Sequence, residues 1–402
     1  MEFQATDHVL LLSFILAFIL GLTANLTNFC TMGAISDWVN MGKTGRMWAW
    51  FVAIGTAMLA TMLIEGSDVV SLNSTIPPYR TANFAWLRYL VGGLMFGIGM
   101  TFAGGCANKN LLSLGSGNMK SLLVFIITGY FAYLMTKTDF YATLFYPWVS
   151  ATTIDLGQYD IQGQGISHIL AAMLGIEDAN SFHYALALIL GSTLIIMGLA
   201  SKAFTHNPKH VISGFVIGLV ITGGWYISGG PLGQEALDLV EWMDDRPFGV
   251  GVQSYTFINP MGETLYYLAQ PENFLLITFG MVAIAGVLVG SFTAAMTTGK
   301  LHLTWFTSKS DFFKHVIGAI LMGIGGVLAM GCTIGQGITG VSTLALGSII
   351  VLASIIYGSA LTMKIMFYQM MYEGECGFMD CLLSSLVDLK TLPEGMRRLE
   401  QP

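Results

Sequence analysis

Charged side chains are scarce in this chain. Only 10% of its 402 residues are Asp, Glu, Lys or Arg, whereas 54% are hydrophobic. An average soluble domain carries roughly 25% charged residues, which cover its surface in water. The 17 basic and 24 acidic residues here cannot cover a particle of this size unless lipid replaces water over most of its surface. The composition therefore excludes an ordinary soluble protein and indicates a membrane protein with several crossings.

Several other features are absent. The net charge of -7 leaves no basic face, which argues against nucleic acid as a partner. Met1–Leu12 has no basic region and no small-residue cleavage site follows its apolar run, so we interpret it as a retained first helix. The five cysteines include no Cys-x-x-Cys pair and no matching histidine cluster. Neither a disulfide framework nor a metal site is predicted, and no cofactor is expected.

Nine long apolar runs dominate the chain. Glycine accounts for 48 of 402 residues, about 12% where roughly 7% is usual, and it lies inside these runs, which favours closely packed or interrupted helices. Some runs are shorter than the roughly 20 residues of a full crossing, so re-entrant half-helices are expected. The runs cover approximately residues 9–30, 47–65, 84–105, 121–136, 182–200, 210–228, 274–297, 315–332 and 343–371.

The connections between the runs differ in charge. The stretch 138–181 has five acidic residues and no Lys or Arg, and 229–273 has seven acidic residues and one Arg. Basic residues concentrate in 201–209, in 299–314 and near the C-terminus. By the positive-inside rule, the two acidic stretches lie outside, and the basic loops and the C-terminus lie in the cytoplasm. We therefore predict a multi-pass membrane protein whose C-terminus faces the cytoplasm.

The chain contains an internal repeat at an offset of 226 residues. Arg88–Cys106 aligns without gaps on Lys314–Cys332, with seven identities in nineteen positions, and both copies end in Gly-Cys. The loop charges make the first copy run inward and the second outward, which is the relation of inverted transporter repeats. A weaker match of Phe14–Gly33 with Phe279–Thr298 conflicts with this, because the same loop count makes those two segments parallel.

We predict an all-α polytopic membrane protein with internal, inverted repeats and re-entrant half-helices around a central path. The first membrane half covers 1–181 with repeat copy 88–137, and the second covers 182–372 with repeat copy 314–364. A cytoplasmic tail, 373–402, follows.

Three cysteines stand where apolar runs end. Cys106 and Cys332 are each followed by small and polar residues, and a helix that breaks there exposes backbone N–H groups that can face an anion. The alternative is that the glycines serve helix packing and the cysteines are inert, but two copies at equivalent repeat positions favour a site. Cys30, in Asn28-Phe-Cys-Thr-Met-Gly33, is the third candidate. The candidate supporting residues are Asn28, Asn108, Lys109, Thr333 and Gln336.

Three other groups of polar or charged residues are interpreted separately. Lys109 either attracts an anion at the inner mouth of a path or extends to the lipid interface. We interpret Glu65, His168 and Lys364 as interfacial, because they lie at run ends or in loops. Cys376 and Cys381 lie beyond the last run, beside acidic residues, and are expected to have a structural or incidental role.

The pattern Asn-Phe-Cys-x-x-Gly, then Gly-Gly-Cys, then Met-Gly-Cys-Thr-Ile-Gly-Gln-Gly resembles the YeeE/YedE family of sulfur-compound transporters over residues 9–371. The resemblance implies uptake of thiosulfate or a related small sulfur anion across the bacterial inner membrane, without enzymatic activity. It also implies that Cys30, Cys106 and Cys332 line the route. A cytoplasmic sulfur-handling protein is a candidate recipient of the substrate.

Other functions remain open from the residues alone. A membrane thiol-disulfide oxidoreductase needs a reactive dithiol, commonly Cys-x-x-Cys. A transporter of another sulfur or selenium species would share the same motifs. An ion channel or metal transporter would be expected to have acidic or histidine residues within the apolar runs, and these are nearly absent.

Overall fold

The computed structural model describes residues 5–176, 178–372 and 376–400. These residues are mainly helical, and their only strands form a short antiparallel pair. The helices are α1 Ala5–Thr27, α2 Thr31–Met41, α3 Gly45–Gly66, α4 Trp86–Phe102, α5 Ala107–Gly115, α6 Met119–Lys137, α7 Phe140–Leu144, α8 Tyr146–Thr152, α9 Ile166–Leu174, α10 Ala179–Ala200, α11 Lys202–Thr205, α12 Pro208–Gly229, α13 Pro231–Glu241, α14 Ile258–Ala269, α15 Phe279–Thr297, α16 Lys309–Leu328, α17 Leu346–Met371 and α18 Phe378–Asp388. The strands are β1 Asn83–Phe84 and β2 Ile154–Asp155.

One further helix precedes α17. Residues 333–342 are helical, and their central part, Gly335–Gly340, is a π-helix. We call this element helix 333–342.

Nine segments of the described chain are long and apolar enough to cross a membrane. Each coincides with one of the nine apolar runs, so the prediction of an all-α, multi-pass membrane protein is confirmed. The segments are Ala5–Met41, Gly45–Gly66, Trp86–Gly115, Met119–Lys137, Ala179–Ala200, Pro208–Glu241, Phe279–Thr297, Lys309–Leu328 and Leu346–Met371.

Glycine allows the two helices of the repeat to touch along their backbones. A Cβ on Gly92 of α4 would lie 2.5 Å from the Ala329 nitrogen, and one on Gly99 would lie 2.7 Å from the Gly318 oxygen. The beginning of α4 therefore packs beside the end of α16, and the two helices are antiparallel. The inverted-repeat prediction requires the same antiparallel direction, and it stays a prediction.

The weaker alignment joins helices with a different relation. A Cβ on Gly286 would lie 2.6 Å from the Phe14 oxygen, and one on Gly290 would lie 2.9 Å from the Leu22 nitrogen. Helices α1 and α15 therefore run parallel, which excludes them as an inverted pair. The helix that runs opposite to α1 is α12, because α13 follows α12 directly and packs beside the start of α1.

The loops collect at two ends of the helix bundle. At one end, which we call the acidic end, β1 pairs with β2, and the Ile76 nitrogen donates to the Val252 oxygen at 2.8 Å. At the other, the basic end, Gly45 lies against Ala203 and His210. The acidic and basic connections thus separate as predicted, while the side that faces the cytoplasm stays a prediction.

Part of the connection 229–273 does not lie at the surface. Tyr255, Phe257 and Ile258 have 0% exposure, and the Tyr255 hydroxyl donates to the Ser13 oxygen at 3.0 Å. From there α14 packs along α6, with Tyr266 stacked on Tyr133. The prediction of a wholly external loop is therefore wrong for this stretch, because its apolar residues fill space between the long helices.

The predicted tail lies partly outside the described residues, at 373–375 and 401–402. Its described part docks on the bundle, since α18 packs on α17 and the Tyr368 hydroxyl of α17 donates to Asp388 at 3.0 Å. Cys376 and Cys381 form a disulfide, which the cysteine count did not predict.

Candidate functional site

Three short helices begin immediately after a cysteine. Cys30 is the N-cap of α2, and its sulfur accepts a hydrogen bond from the Gly33 N–H at 3.4 Å. Cys332 precedes helix 333–342 and accepts from the Gly335 N–H at 3.5 Å. Cys106 is the N-cap of α5. The short cysteine side chain therefore occupies the position where serine or threonine usually satisfies the free N–H groups of a helix start.

The three thiols, far apart in sequence, are buried and close together. Cys30, Cys106 and Cys332 are 6%, 1% and 0% exposed. The Cys106 thiol lies near the Cys30 thiol and near the hydroxyl of Thr333. Cys332 lies near Cys106 and near the backbone N–H of Phe257. All three are free thiols, and they form a row in the order Cys30, Cys106, Cys332.

Two of the short helices run from this row toward opposite ends of the bundle. Just beyond α5, the Ser116 oxygen accepts from the His302 N–H at 3.2 Å at the basic end. Just beyond helix 333–342, the Leu344 oxygen accepts from the Ile166 N–H at 2.9 Å at the acidic end. Both helices therefore point their N-termini at the thiols. Free N–H groups and the positive ends of the helix dipoles favour an anion there.

Four of the five supporting residues lie around the thiols. Asn108 is 2% exposed and Gln336 is 1% exposed, and their side-chain oxygens have no hydrogen-bond partner among the described residues. Thr333 is fully buried beside Cys106. Lys109 is half-buried, and its side chain folds along Gly105 so that its charge interacts with Cys30. The structure thus places this charge near the thiols.

Asn28 lies apart from this group. Its side chain is exposed, and its φ of 54° places it in the left-handed region, where asparagine is better tolerated than most residues. Its role in the structure is to end α1 and turn the chain into Cys30.

A cavity of about 410 Å³ opens toward the acidic end. It contains a positive charge, Arg88, whose guanidinium donates to the Leu328 oxygen at 2.8 Å and to the Val327 oxygen at 3.0 Å. It also contains a carboxylate, Glu263, which accepts from the Thr278 hydroxyl at 2.6 Å. Among the other lining residues are Tyr141, Thr256, Asn259 and Met330.

A second polar cluster was not predicted from the sequence. Glu65 is not interfacial: it binds Arg80 at 2.5 Å, with side-chain exposures of 12% and 5%. His183 lies 3.6 Å from the same carboxylate, and Arg80 also donates to the Thr343 oxygen at 3.0 Å. The sequence does not predict that Glu65 pairs with Arg80, because a single polar residue at the end of an apolar run has the same pattern whether water or another side chain satisfies it.

The other two residues read as interfacial also have polar neighbours. The ring of His168 lies 6.3 Å from that of His183, and burial, followed by the charge of Arg80, lowers the pKa of His168 below its ordinary value. Lys364 lies 3.6 Å from Asp388. Within the described ranges, no group of three or more His, Cys, Asp or Glu side chains is placed to hold a metal ion.

Residues 26–361 match the family model described as sulphur transport, which covers most of the chain. The chain belongs to this sulphur transport family. It is 23% identical over 340 residues to the thiosulfate transporter TsuA of Escherichia coli strain K12, covering 80% of this chain and 84% of that protein. It is 25% identical over 295 residues to the thiosulfate transporter TsuA of Spirochaeta thermophila, covering 64% of this chain and 71% of that protein. The YeeE/YedE resemblance is confirmed, and the chain is a membrane transporter rather than an enzyme.

Proposed function

We propose that this transporter imports thiosulfate or a closely related small sulfur anion past Cys30, Cys106 and Cys332, which act as neutral thiols. The observation that carries the proposal is the buried row of three thiols at the starts of short helices. The two TsuA relatives, named as thiosulfate transporters, support the substrate class.

Neutral thiols suit the passage of a sulfur anion. An ion that leaves water needs partners that replace its hydration but release it onward. A thiol is a weak donor that can approach a terminal sulfur. A thiolate would instead repel a monoanion at 4 Å by roughly 4 kcal/mol at an effective dielectric of 20. The helix N-termini and the charge of Lys109 stabilise the anion electrostatically, so the anion forms no covalent bond with the protein.

The proposed direction is from the acidic end to the basic end. The positive-inside rule places the basic loops, and the C-terminus with them, in the cytoplasm. The substrate would then enter from the cavity with Arg88, pass the thiols and leave beside Lys109. A cytoplasmic sulfur-handling protein would receive it there. We assign the chain to the inner membrane because the family resemblance implies uptake across that membrane.

Uptake of labelled thiosulfate tests the proposal. We expect Cys106→Ala and Cys332→Ala to abolish uptake, and Cys30→Ala to reduce it strongly, because each loses a donor but little volume. The matched control is the double variant Cys376→Ala/Cys381→Ala, whose sulfurs form a disulfide in the tail. Wild-type uptake in either Cys106→Ala or Cys332→Ala would reject the thiol path. Competition of unlabelled sulfate, sulfite and selenite with labelled thiosulfate shows which anions the transporter accepts.

A further inference from the structure

The repeat offset of 226 residues identifies the position that corresponds to Cys30, which has no cysteine at its repeat position. The offset that relates Cys106 to Cys332 takes Cys30 to Thr256. Cys30 immediately precedes α2, and Thr256 stands two residues before α14. Each of these helices begins at a buried residue and ends at an exposed one. Thr256 is therefore the counterpart of Cys30 in both register and placement.

The contacts of Thr256 follow the same correspondence. Cys30 contacts Cys106, and Thr256 lies against the turn that holds Cys332. A Cβ on Gly335 would lie 2.7 Å from the Thr256 Cβ, and one on Gly331 would lie 3.3 Å from its Oγ1. The next residue, Phe257, brings its backbone N–H to the Cys332 sulfur. Thr256 thus extends the row of thiols by one polar group, beyond Cys332.

Polar atoms without partners collect at this position. Thr256 Oγ1, Asn259 Oδ1 and Gln336 Oε1 are buried and have no hydrogen-bond partner among the described residues. Gln336 is 1% exposed, and its Cγ, like Thr256 Oγ1, lies 3.3 Å from where a Cβ on Gly331 would be. A buried polar atom without a partner costs about 1–3 kcal/mol. A polar ligand bound at this position would give these atoms their missing partners.

The cavity at the acidic end connects this cluster to the outside. Thr256 and Asn259 line it together with Arg88. Thr256 contributes a hydroxyl that can both donate and accept, and Asn259 contributes an amide that can donate to an oxyanion. Arg88 adds positive charge at the same surface. These groups match the oxygens of a sulfur oxyanion, whereas the three thiols match its terminal sulfur.

We propose that Thr256, with Asn259, forms an outer binding site for the sulfur oxyanion, which takes the anion from the cavity and passes it to Cys332. This inference rests on the proposed function, because it adds a fourth group to the same path. The path then has two symmetric pairs, Thr256 with Cys332 and Cys106 with Cys30. The hydroxyl at the outer position makes that site the one that distinguishes oxyanions.

Substitutions at Thr256 test the site through the concentration dependence of thiosulfate uptake. Thr256→Val keeps the shape but removes the hydroxyl, and we expect the KM for thiosulfate to rise about tenfold, which corresponds to ~1.4 kcal/mol of lost binding. Thr256→Ser should stay near wild type. The matched control is Thr362→Val, because the Thr362 hydroxyl bonds only its own helix at the Gly358 oxygen, 2.8 Å away. Membrane abundance is measured for every variant.

A wild-type KM in Thr256→Val would overturn the outer site. If Cys332→Ala is inactive in the same assay, the proposed function stands without it; if Cys332→Ala also transports normally, the thiol path itself fails. Should Thr256→Val not reach the membrane, Thr256→Cys replaces it. We expect this variant to transport and, unlike wild type, to be inactivated by a membrane-impermeant maleimide added from outside and washed away. Full activity after that treatment would also reject the site.

Discussion

At the scale of single residues, the hydrogen bonds that the thiols donate and accept determine how they interact with the substrate. Cys106 and Cys332 are fully buried and contact hydroxyl and N–H groups. Serine offers a stronger donor on a smaller, harder atom, so it should favour the oxygens of a substrate over its sulfur. The contrast between serine and alanine therefore separates a hydrogen-bonding thiol from a redox thiol.

We predict that Cys106→Ser and Cys332→Ser retain partial uptake and shift preference from sulfur-terminated toward oxygen-terminated anions, while the alanine variants are inactive. The measurement is competition of sulfate with labelled thiosulfate in each variant, together with the effect of a membrane-permeant reductant on wild type. Serine variants as inactive as alanine, combined with a wild type that depends on redox state, would instead support a covalent sulfur intermediate, since oxygen cannot replace sulfur in that linkage.

Gly335 packs so closely against Thr256 that no side chain fits between them. A Cβ there would lie 2.7 Å from the Thr256 Cβ and 3.3 Å from its Cα, and a β-branched side chain beside backbone cannot yield easily. We predict that Gly335→Ala lowers the uptake rate about tenfold, or ~1.4 kcal/mol, by displacing Thr256 from Cys332. Gly395→Ala is the control, because nothing lies within 4 Å of its added Cβ. Normal uptake in Gly335→Ala would show that the turn tolerates the shift.

At the scale of elements, helix 333–342 is held at both ends. Its first turn surrounds Cys332, and just beyond its last turn the Thr343 oxygen accepts from Arg80, which Glu65 neutralises. The ion pair thus connects α3, the loop before α4 and the chain that follows the short helix. A contact network of this kind fixes the direction in which the N-terminus points at the path.

We predict that Glu65→Gln destabilises the protein by about 3 kcal/mol, because it leaves the Arg80 charge buried without its partner. Thermal unfolding of the purified protein in detergent measures the loss as a lower Tm. Glu235→Gln is the matched control, since Glu235 is exposed on α13. Equal Tm values for the two variants would show that solvent or His183 compensates for the lost carboxylate.

At the scale of the whole molecule, the two ends differ in charge and in the loops that meet there. We propose that the membrane region consists of two halves, 1–181 and 182–372, related by inversion. The pairs α1 with α12 and α4 with α16 run antiparallel, as that relation requires. Helix α10 packs mainly on α3 and joins the halves.

Labelling of introduced cysteines tests the orientation of the bundle. Tyr159→Cys and Thr205→Cys place thiols at the acidic and basic ends, and both parent side chains are exposed. In intact cells of a strain with Cys376 and Cys381 replaced by Ser, we expect a membrane-impermeant reagent to label the first and not the second, because the basic loops face the cytoplasm. Labelling of both from outside would overturn the charge-based orientation.

The sequence by itself determined the class of fold, the nine apolar segments and the paired Gly-Cys positions. These are local or directly comparable properties: the length of an apolar run reports how favourably a segment transfers into lipid, and an ungapped repeat needs no three-dimensional information. The acidic and basic loops could be assigned to opposite ends for the same reason, since charge is counted along the chain. Cys30 could be named as a candidate from its place at the end of an apolar run, but without support from the repeat, because its repeat counterpart is not a cysteine.

The tertiary structure decided which of these residues meet. It placed Thr256 against the turn of Cys332, buried Glu65 beside Arg80 and inserted Tyr255 and Phe257 between long helices. A polar residue in a connection has the same sequence signature whether water or a distant side chain satisfies it. Only helix packing brings those partners together. Glycines on both helices determine where two helices can approach and cross, and this is not visible in either helix alone.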